Sequence, residues 1–475
     1  MSSFVLKKDL TAFPSVKIGS RLIVPMKTEP SLQTSDLAPA VRSLFDHAAV
    51  KIRSLNSGWS PAAGSPVFTS HGKYTSRGWT EWTQGFQFGS ALLQFDGTGD
   101  AEFLEIGRKR TVDVMAPHIT HIGVHDHGFN NVSTYGNLLR LMAEGRIESN
   151  PWEQRFYELA LKCTGAVQAA RWTNIAGGSG FIYSFNGPHS LFVDTVRTVR
   201  ALAVSHRLGH ALFGENDKRF SLLDRMLQHM DATARYAVYY GEGRDSYDVR
   251  GRVAHESIFN INDGNYRCPN SQQGYAPFST WTRGLAWAML GFAEELEFLE
   301  TVPDSDLEAH GGRAKVVAWM TKAATAACDF YIDNSAADGI PYWDTGAPGL
   351  EKLGDWRGRS SDPYNEHEPV DSSAAAIGAQ ALLRLGRYLK NEKYWQAGLT
   401  VTRNLFAAPY LSTSDAHQGL ILHAVYHRPN GWDTAPVGSM VPSGEACMWG
   451  DYHAMELAAY LRRVIEGKPY LTFWC

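Results

Sequence analysis

The residues best suited to chemistry in this chain form the motif His125-Asp126-His127-Gly128-Phe129, which lies between two predicted helical segments. An aspartate between two imidazoles is costly to bury in a packed core, whereas a functional pocket gives such groups a purpose. We therefore predict that Asp126 lies on a loop at the mouth of a helical barrel, facing a second acid from later in the chain. Alternatively, its carboxylate is a loop cap or an ion-pair partner.

Two more histidines, His118 and His121, precede this motif. His-x-His and His-x3-His spacings both occur in zinc sites, so a metal site is an alternative. The acidic third ligand at helical spacing, as in HExxH, is absent. We therefore predict no metal and interpret His118 and His121 as ordinary loop histidines.

The second candidate acid is Asp194, in the apolar run Leu191-Phe192-Val193-Asp194 near the start of a predicted inner helix. The residue is either an N-terminal cap or a buried acid with a raised pKa, because burial favours the neutral carboxyl group. Two acids in one pocket divide into a proton donor and a charge stabiliser.

A third cluster surrounds the start of a later predicted helix, where Arg283 lies between Trp281 and Trp287 and Gln273 precedes them. Tryptophan faces stack on sugar rings, and an arginine fork binds a carboxylate through two hydrogen bonds. The alternative is two core tryptophans and an arginine that caps another element.

Helical periodicity with few strand signals predicts an all-α fold. Segments that begin near Glu81, Asn130, Ser190, Thr280, Asp371 and Met448 each follow a polar or aromatic loop. Several are rich in small residues, which lets helices pack on all sides. Six inner and six outer helices form an (α/α)6 barrel. We expect residues 1–35 to be an extended arm and 36–475 one domain, with a long loop over 240–278, a short strand at Gly180–Ser184 and a possible helix at Ala416–His427.

The composition excludes several classes of protein. A net charge of −4 and a sequence pI near 6.5 give no reason to expect nucleic acid or a membrane surface as partner. The five cysteines show no CxxC spacing, which is typical of a reducing compartment. We expect a cytoplasmic protein without a membrane span.

Six motifs occur in a fixed order along the chain. They are His125-Asp126-x-Gly128-Phe129, the Asp194 segment, Gln273-Gly274-Tyr275, Trp281-x-Arg283-Gly284-x-Ala286-Trp287, Asp371–Ile377 and Trp449-Gly450-Asp451-Tyr452. The ordered set resembles the unsaturated glucuronyl hydrolases of glycoside hydrolase family 88, over roughly residues 75–465.

The resemblance implies an (α/α)6 barrel that removes a 4,5-unsaturated uronic acid from the non-reducing end of oligosaccharides left by polysaccharide lyases. The implied chemistry is hydration of an enol ether: protonation at C4, addition of water at C5, opening of the hemiketal and release of the aglycone.

By the same resemblance, Asp194 corresponds to the general acid/base and Asp126 to the companion acid that steadies positive charge. The implied substrate contacts are His125, Trp82, His255, Gln273, Trp281, Arg283 and Trp287. The partner is an oligosaccharide ending in an unsaturated uronic acid. No metal or organic cofactor is implied, because protonation makes the substrate its own electrophile.

The chain departs from the family pattern at Thr195-Val196-Arg197-Thr198, where a more apolar segment is expected after the acid. It is also longer, with additional residues at the N-terminus and in loops 240–270 and 345–370. We expect those two loops to form the aglycone side of the pocket.

Three alternatives remain open at this point. A related enzyme that acts on unsaturated rhamnogalacturonan fragments (family 105) would share the fold and the acid pair. An (α/α)6 sugar epimerase would use histidines, recruited from His125, His255 and His367. A non-catalytic helical scaffold would leave the ordered motifs without a purpose. The aglycone sugar, its linkage and sulfation, and the oligomeric state do not follow from the sequence.

Overall fold

The computed structural model describes residues 25–78 and 81–474. Of the predicted N-terminal arm, residues 1–24 lie outside the described residues. Residues 25–33 are non-helical, and the backbone amides of Met26 and Lys27 donate hydrogen bonds to the carbonyls of Ile332 and Ala337, at 2.9 Å each. This part of the arm therefore lies along the end of an outer helix.

The described chain is mainly helical. Its α-helices are α1 (Ala38–Gly58), α2 (Gln84–Thr98), α3 (Ala101–Val114), α4 (Ala116–Ile119), α5 (His127–Asn131), α6 (Asn137–Ala143), α7 (Pro151–Ala170), α8 (Thr195–Thr198), α9 (Arg200–Arg207), α10 (Leu222–Tyr236), α11 (Thr282–Leu299), α12 (Arg313–Asn334), α13 (Ser372–Leu389), α14 (Glu392–Leu405) and α15 (Met448–Ile465). A π-helical turn, Val132–Gly136, joins α5 to α6. Among the described helices, none is long and apolar enough to cross a membrane.

Six helical units form a closed inner ring: α2, α5–α6, α8–α9, α11, α13 and α15, each packed against the next, with α15 returning to α2. The six outer helices are α1, α3, α7, α10, α12 and α14, which alternate with them along the chain. The inner helices are buried on nearly all sides, as α11 illustrates with every one of its residues buried. The predicted (α/α)6 barrel is confirmed, and its inner units follow the six predicted segments.

Glycines allow the inner helices to touch backbone to backbone. A Cβ atom on Gly85 would lie 2.3 Å from the carbonyl oxygen of Asn130, and one on Gly128 would lie 2.0 Å from that of Thr198. No side chain fits at such distances, because real Cβ atoms do not approach a backbone oxygen so closely. Glycines at these contacts therefore allow neighbouring inner helices to approach each other closely.

The described strands are short: β1 (Phe68–Ser70), β2 (Lys73–Thr75), β3 (Trp172–Ile175), β4 (Ser179–Ile182), β5 (Ser190–Phe192), β6 (Ala211–Phe213), β7 (Arg219–Ser221), β8 (Glu256–Phe259) and β9 (Tyr266–Asn270). The predicted strand near 180–184 corresponds to β4. Strands β5, β8 and β9 form one antiparallel sheet in that order. The prediction that 240–278 is only a loop is wrong, since β8 and β9 lie within it; β8 pairs with β5, far away in sequence, which local patterns do not reveal.

The possible helix at Ala416–His427 is absent, and the prediction is wrong. The buried carboxylate of Asp451 accepts hydrogen bonds from the amides of Leu420 and Ile421, at 2.9 and 2.8 Å. These amides would otherwise be available for helical hydrogen bonds. The segment is held extended by Asp451 and by a bridge between Leu411 and Ile421.

Farther along the inner helices, a group of buried ion pairs crosses the ring. We call it the ion-pair layer; it consists of Arg197, Arg200, Glu294, Glu297, Arg384 and Glu456. Arg197 Nη1 lies 2.9 Å from Glu294 Oε2, and its Nη2 lies 3.0 Å from Glu456 Oε2. The C-terminal segment packs below this layer, where Arg384 Nη2 donates to the carbonyl of Leu471 at 2.8 Å.

Candidate active site

A cavity of about 920 Å³ opens at one end of the inner ring. Its volume is within the range of small-molecule sites. The residues that line it are Glu81, Trp82, His121, Gly123, Val124, His125, Asp126, Phe129, Phe185, Asn186, Asp194, Gln272, Gln273, Trp281, Arg283, Trp287, Tyr426, His427, Asn430 and Trp432. Of the predicted site residues, all except His255 line this cavity.

The start of an inner helix positions each of the main polar groups. Asp126 directly precedes α5, Asp194 directly precedes α8, and Arg283 lies in the first turn of α11. Neither aspartate uses its side chain as a helix cap. The cap interpretation of Asp194 is therefore wrong, and both carboxyl groups are available to the cavity.

His125 joins the two aspartates. Its Nε2 lies 3.3 Å from Asp194 Oδ1 and 3.6 Å from Asp126 Oδ1. All three side chains are buried, with relative exposures of 1% for His125, 6% for Asp126 and 8% for Asp194. Two acids that are 68 positions apart in the sequence thus meet at one imidazole nitrogen.

Burial acts to raise the pKa of both carboxyl groups, but their neighbours differ. Burial and the negative charge of Asp194 prevail over His125 at Asp126 and raise its pKa to about 6. At Asp194 the hydrogen bond and positive charge of His125 outweigh burial and hold the pKa below its ordinary value. The raised pKa predicted for Asp194 is thus found at Asp126, because Asp194 is the closer of the two to His125.

The pKa of His125 responds to the same contacts. Burial acts to lower it, but the negative charge of Asp126 and the hydrogen bond to Asp194 raise it above the ordinary histidine value. The imidazole therefore retains a proton that both carboxylates attract.

Two other histidines of the motif region, His127 and His118, have structural partners, whereas His121 lines the cavity. His127 points away from the cavity, with Nδ1 2.7 Å from Thr164 Oγ1 and Nε2 2.9 Å from the carbonyl oxygen of His121. His118 Nδ1 lies 3.2 Å from the side-chain amide of Asn130. Within 25–78 and 81–474, no cluster of His, Cys, Asp or Glu has the arrangement of a metal site.

The Arg283 guanidinium is occupied by the protein itself. Nη1 donates to Asp371 Oδ2 at 3.2 Å and also to the carbonyl of Val425. Nη2 donates at 2.8 Å both to the carbonyl of Tyr426 and to Gln273 Oε1. Both prongs of the fork are therefore used, which conflicts with the interpretation of Arg283 as the bidentate receptor for a substrate carboxylate. The geometry instead makes Arg283 the residue that positions Gln273.

Gln273 consequently presents a defined face to the cavity. Arginine has no hydrogen-bond acceptor, so the side-chain atom of Gln273 that meets it must be the carbonyl oxygen. The Nε2 amide group, with its two N–H donors, is left for a ligand. A carboxylate, which only accepts hydrogen bonds, can accept one from this group.

His255 lies behind the cavity wall rather than on it. The amide of Val193 donates to its backbone carbonyl at 3.0 Å, next to the β5–β8 pairing, which places it beside Asp194. Its Nδ1 accepts a hydrogen bond from the amide of Gln272 at 2.9 Å, and its ring packs edge-on against Trp281 at 4.9 Å between centroids. Its Nε2 is buried and has no hydrogen-bond partner among the described residues, and a direct contact of His255 with a substrate stays a prediction.

Aromatic rings form the floor of the cavity. Trp82, in a single turn before α2, stacks on Trp449 with centroids 4.9 Å apart. Phe129 packs against Trp287 at 4.7 Å. Apolar ring faces beside buried acids form a surface suited to a sugar ring.

Sequence reasoning missed several cavity residues and misplaced one wall. Phe185 and Asn186 follow β4, and Tyr426, His427 and Trp432 lie in the segment between α14 and α15. The expected aglycone loops, 240–270 and 345–370, contribute none of the lining residues. The turn sequence Phe185-Asn186-Gly187-Pro188, just before the Asp194 segment, was the available signal for one of the missed walls.

Proteins of similar sequence are known. An unsaturated glucuronyl hydrolase of Formosa agariphila is 23% identical over 378 residues, which are 79% of this chain and 78% of the relative. One of Bacillus sp. strain GL1 is 23% identical over 414 residues, which are 84% of this chain and 90% of the relative. The chain is thus similar in sequence to unsaturated glucuronyl hydrolases. No family model matches it.

Solved structures of unsaturated glucuronyl hydrolases share the fold. The crystal structure from Bacillus sp. GL1 has a TM-score of 0.67 at 21% identity and covers 90% of this chain and 97% of its own. The structure from Streptococcus agalactiae has a TM-score of 0.67 at 20% identity and covers 95% of this chain and 100% of its own. The predicted resemblance to the unsaturated glucuronyl hydrolases is confirmed.

Proposed function

We propose that this protein is a glycosidase that removes a 4,5-unsaturated uronic acid from the non-reducing end of lyase-generated oligosaccharides. The observation that carries the proposal is the meeting of Asp126 and Asp194 at His125 Nε2, within one sugar-sized cavity. The two relatives named above are unsaturated glucuronyl hydrolases, which supports this activity.

The first step is transfer of a proton to C4. His125 holds a proton against the carboxylate of Asp194 at 3.3 Å. A sugar ring that fills the cavity displaces water, makes an ionised Asp194 more costly and moves this proton onto it. Asp194 then donates the proton to C4, the C4=C5 double bond is lost, and positive charge develops on C5 and the ring oxygen. The carboxylate of Asp126 stabilises that charge.

The second step is addition of water at C5. The Asp194 carboxylate, now ionised, takes one proton from the attacking water, so the proton lent to C4 is replaced. The resulting hemiketal opens by cleavage of the bond between C5 and the ring oxygen. The anomeric carbon becomes a hemiacetal, which releases the aglycone as an alcohol and leaves an aldehyde.

Recognition of the uronate carboxylate is assigned to Gln273. Arg283 fixes the amide with its N–H donors toward the cavity. The inner helices also begin at this end of the ring, and their N-terminal backbone dipoles favour an anion. The site can thus attract a carboxylate without a free arginine fork.

The substrate class has support from the solved relatives. One of them is described with the ligand dGlcA-Glc-Rha-Glc, and another is described as complexed with a ligand that begins with dGlcA. A sugar chain with this type of terminal residue suits a cavity that has aromatic rings at its floor. The cytoplasmic location remains a prediction from cysteine usage.

A panel of lyase-generated unsaturated disaccharides tests the proposal. The protein should abolish the near-UV absorbance of the unsaturated uronate as the double bond is hydrated. An epimerase would leave this absorbance unchanged. If the folded protein leaves the absorbance of every member of the panel intact, the proposed function is wrong.

A further inference from the structure

A second side-chain amide in the cavity wall is held in a fixed orientation. Asn186 lies on the turn between β4 and β5 and lines the cavity next to Phe185. Its backbone amide donates to Ser184 Oγ at 3.1 Å, which anchors the turn. Its side-chain Nδ2 donates to Glu256 Oε1, also at 3.1 Å.

Glu256 makes that orientation unambiguous. The carboxylate lies on β8 with a relative exposure of 1%, and it accepts hydrogen bonds from the hydroxyl of Ser190 and, at 2.6 Å, from Nδ2 of Asn270. A carboxylate only accepts hydrogen bonds, so Asn186 must turn its NH₂ group toward it. The carbonyl Oδ1 is then directed away from Glu256, and it accepts no hydrogen bond from any residue that the structure describes.

The two amides of the cavity wall therefore have opposite polarity. Gln273, held through its oxygen by Arg283, offers donors; Asn186, held through its nitrogen by Glu256, offers an acceptor. In each case a buried charge behind the amide decides which end faces the ligand.

Asn186 lies toward the rim of the cavity. Its neighbour Phe185 has a relative exposure of 37%, whereas Trp287 at the floor has 2%. A terminal unsaturated ring placed against the floor and the two aspartates leaves the rim for the sugar attached to it.

We propose that Asn186 is a specificity-determining residue whose Oδ1 accepts a hydrogen bond from a hydroxyl or amide N–H of the sugar linked to the unsaturated uronate. Glu256 is its positioning residue. The inference rests on the proposed function and extends it to the aglycone. An anionic substituent at the same place would meet a carbonyl oxygen with a carboxylate behind it and would be disfavoured.

Two substrates separate this contact from the rest of the reaction: an unsaturated uronyl disaccharide and the methyl glycoside of the same unsaturated uronic acid, which lacks the second sugar. We expect Asn186→Ala to lower kcat/KM for the disaccharide about tenfold, since a good hydrogen bond is worth about that factor. The value for the methyl glycoside should fall much less, so the ratio between the two substrates changes.

Glu256→Gln tests the positioning role by a second route. Glutamine can present either its oxygen or its nitrogen to Asn186, so the amide is free to turn over and the substrate ratio should also fall. Asn270→Ala is the matched control, because Asn270 contacts the same carboxylate but does not line the cavity; it should keep the wild-type ratio.

The possible outcomes distinguish failure of the role of Asn186 from failure of the proposed function. If the wild-type protein converts neither substrate, the proposed function fails. If it converts both, and folded Asn186→Ala and Glu256→Gln proteins keep the wild-type ratio, the role of Asn186 is overturned. If Asn270→Ala lowers the ratio of kcat/KM between disaccharide and methyl glycoside as much as Glu256→Gln does, the positioning role of Glu256 is overturned.

Discussion

The cavity and the ion-pair layer occupy successive levels of the same inner helices, and both bury carboxyl groups. Glu456 in the ion-pair layer is flanked by Arg197 and Arg200, which outweigh burial and hold its pKa far below the ordinary value. Asp126 in the cavity has His125 and a second acid beside it, and its pKa rises to about 6. Equal burial therefore gives opposite protonation behaviour.

An intermediate case supports this interpretation. Burial and the charge of Glu294 outweigh the single cation Arg384 at Glu297, and the pKa of Glu297 rises to about 7. The balance between burial, neighbouring acids and neighbouring cations thus decides whether a buried acid is held as an ion or remains able to exchange a proton. Two arginines therefore keep Glu456 ionised in the ion-pair layer, whereas Asp126 in the cavity can exchange a proton near pH 6.

The largest expected effect is on catalysis alone. Asp194→Asn should lower kcat by roughly 1,000-fold to 10,000-fold, because asparagine keeps the shape of the side chain but cannot transfer the proton. The free energy of unfolding should stay within about 1 kcal/mol of wild type, since no arginine depends on this carboxylate. Initial rates of absorbance loss and urea unfolding measure the two effects; a rate within tenfold of wild type contradicts the assignment of Asp194.

The opposite result is expected in the ion-pair layer. Arg197→Met should lower the free energy of unfolding by about 3–5 kcal/mol, because it leaves Glu294 and Glu456 buried without this partner. Arg53→Met is the control: Arg53 pairs with Glu102 at 2.7 Å, but its side chain is 46% exposed, so the loss should be at most about 1 kcal/mol. If urea unfolding shows equal losses of unfolding free energy for the two variants, the ion-pair layer does not have the stabilising role described here.

The pH dependence of kcat/KM should reflect the titration of Asp126 and His125 in the cavity. Asp126, whose pKa is raised to about 6, carries its stabilising charge only above that pH, so the rate should rise about tenfold per pH unit below it. The proton on His125 is lost only above the ordinary histidine value of 6.5, which places the falling limb at higher pH. The measured limbs belong to the coupled cluster as a whole; a profile that is flat through pH 6 speaks against an ionised Asp126 in the active form.

The smallest expected effect concerns recognition. Gln273→Glu replaces the NH₂ group with a carboxylate oxygen, which Arg283 can still hold but which repels a uronate. KM for the unsaturated disaccharide should rise about tenfold, while the methyl ester of the same uronate should lose much less. Steady-state kinetics with both substrates measure this difference. An equal rise for acid and ester would remove Gln273 as the carboxylate receptor.

The ring itself was predictable from the sequence because its determinants are local. Small residues such as those of Gly89-Ser90-Ala91 and Ala374–Ala379 occur in segments that follow polar or aromatic loops, and small side chains let the inner helices pack closely. Strand β8 was missed because its partner β5 lies more than 60 residues earlier, so its formation depends on the folded ring. The segment at 416–427 was mistaken for a helix because Asp451, which holds it extended, comes later in the chain.

The membership of the site was more predictable than its electrostatics. The types and order of Asp126, Asp194 and His125 identified a chemical cluster, but which acid carries the raised pKa depends on how the folded ring places each carboxyl group relative to His125 and its other neighbours. Likewise, the role of Arg283 depends on Asp371, which belongs to a separate motif far along the chain, and on two backbone carbonyls beyond position 420 that no motif contains.

The small sheet of β5, β8 and β9 connects the residues proposed for proton transfer with the residue proposed for carboxylate binding. Asp194 follows one of its strands and Gln273 follows another, so the proposed proton donor and the proposed carboxylate receptor are attached to the same sheet. A sugar whose acid group is seated badly would also have its double bond out of line with the donor. Poor substrates should therefore bind but react slowly, because the sheet couples the position of the carboxylate to that of the double bond.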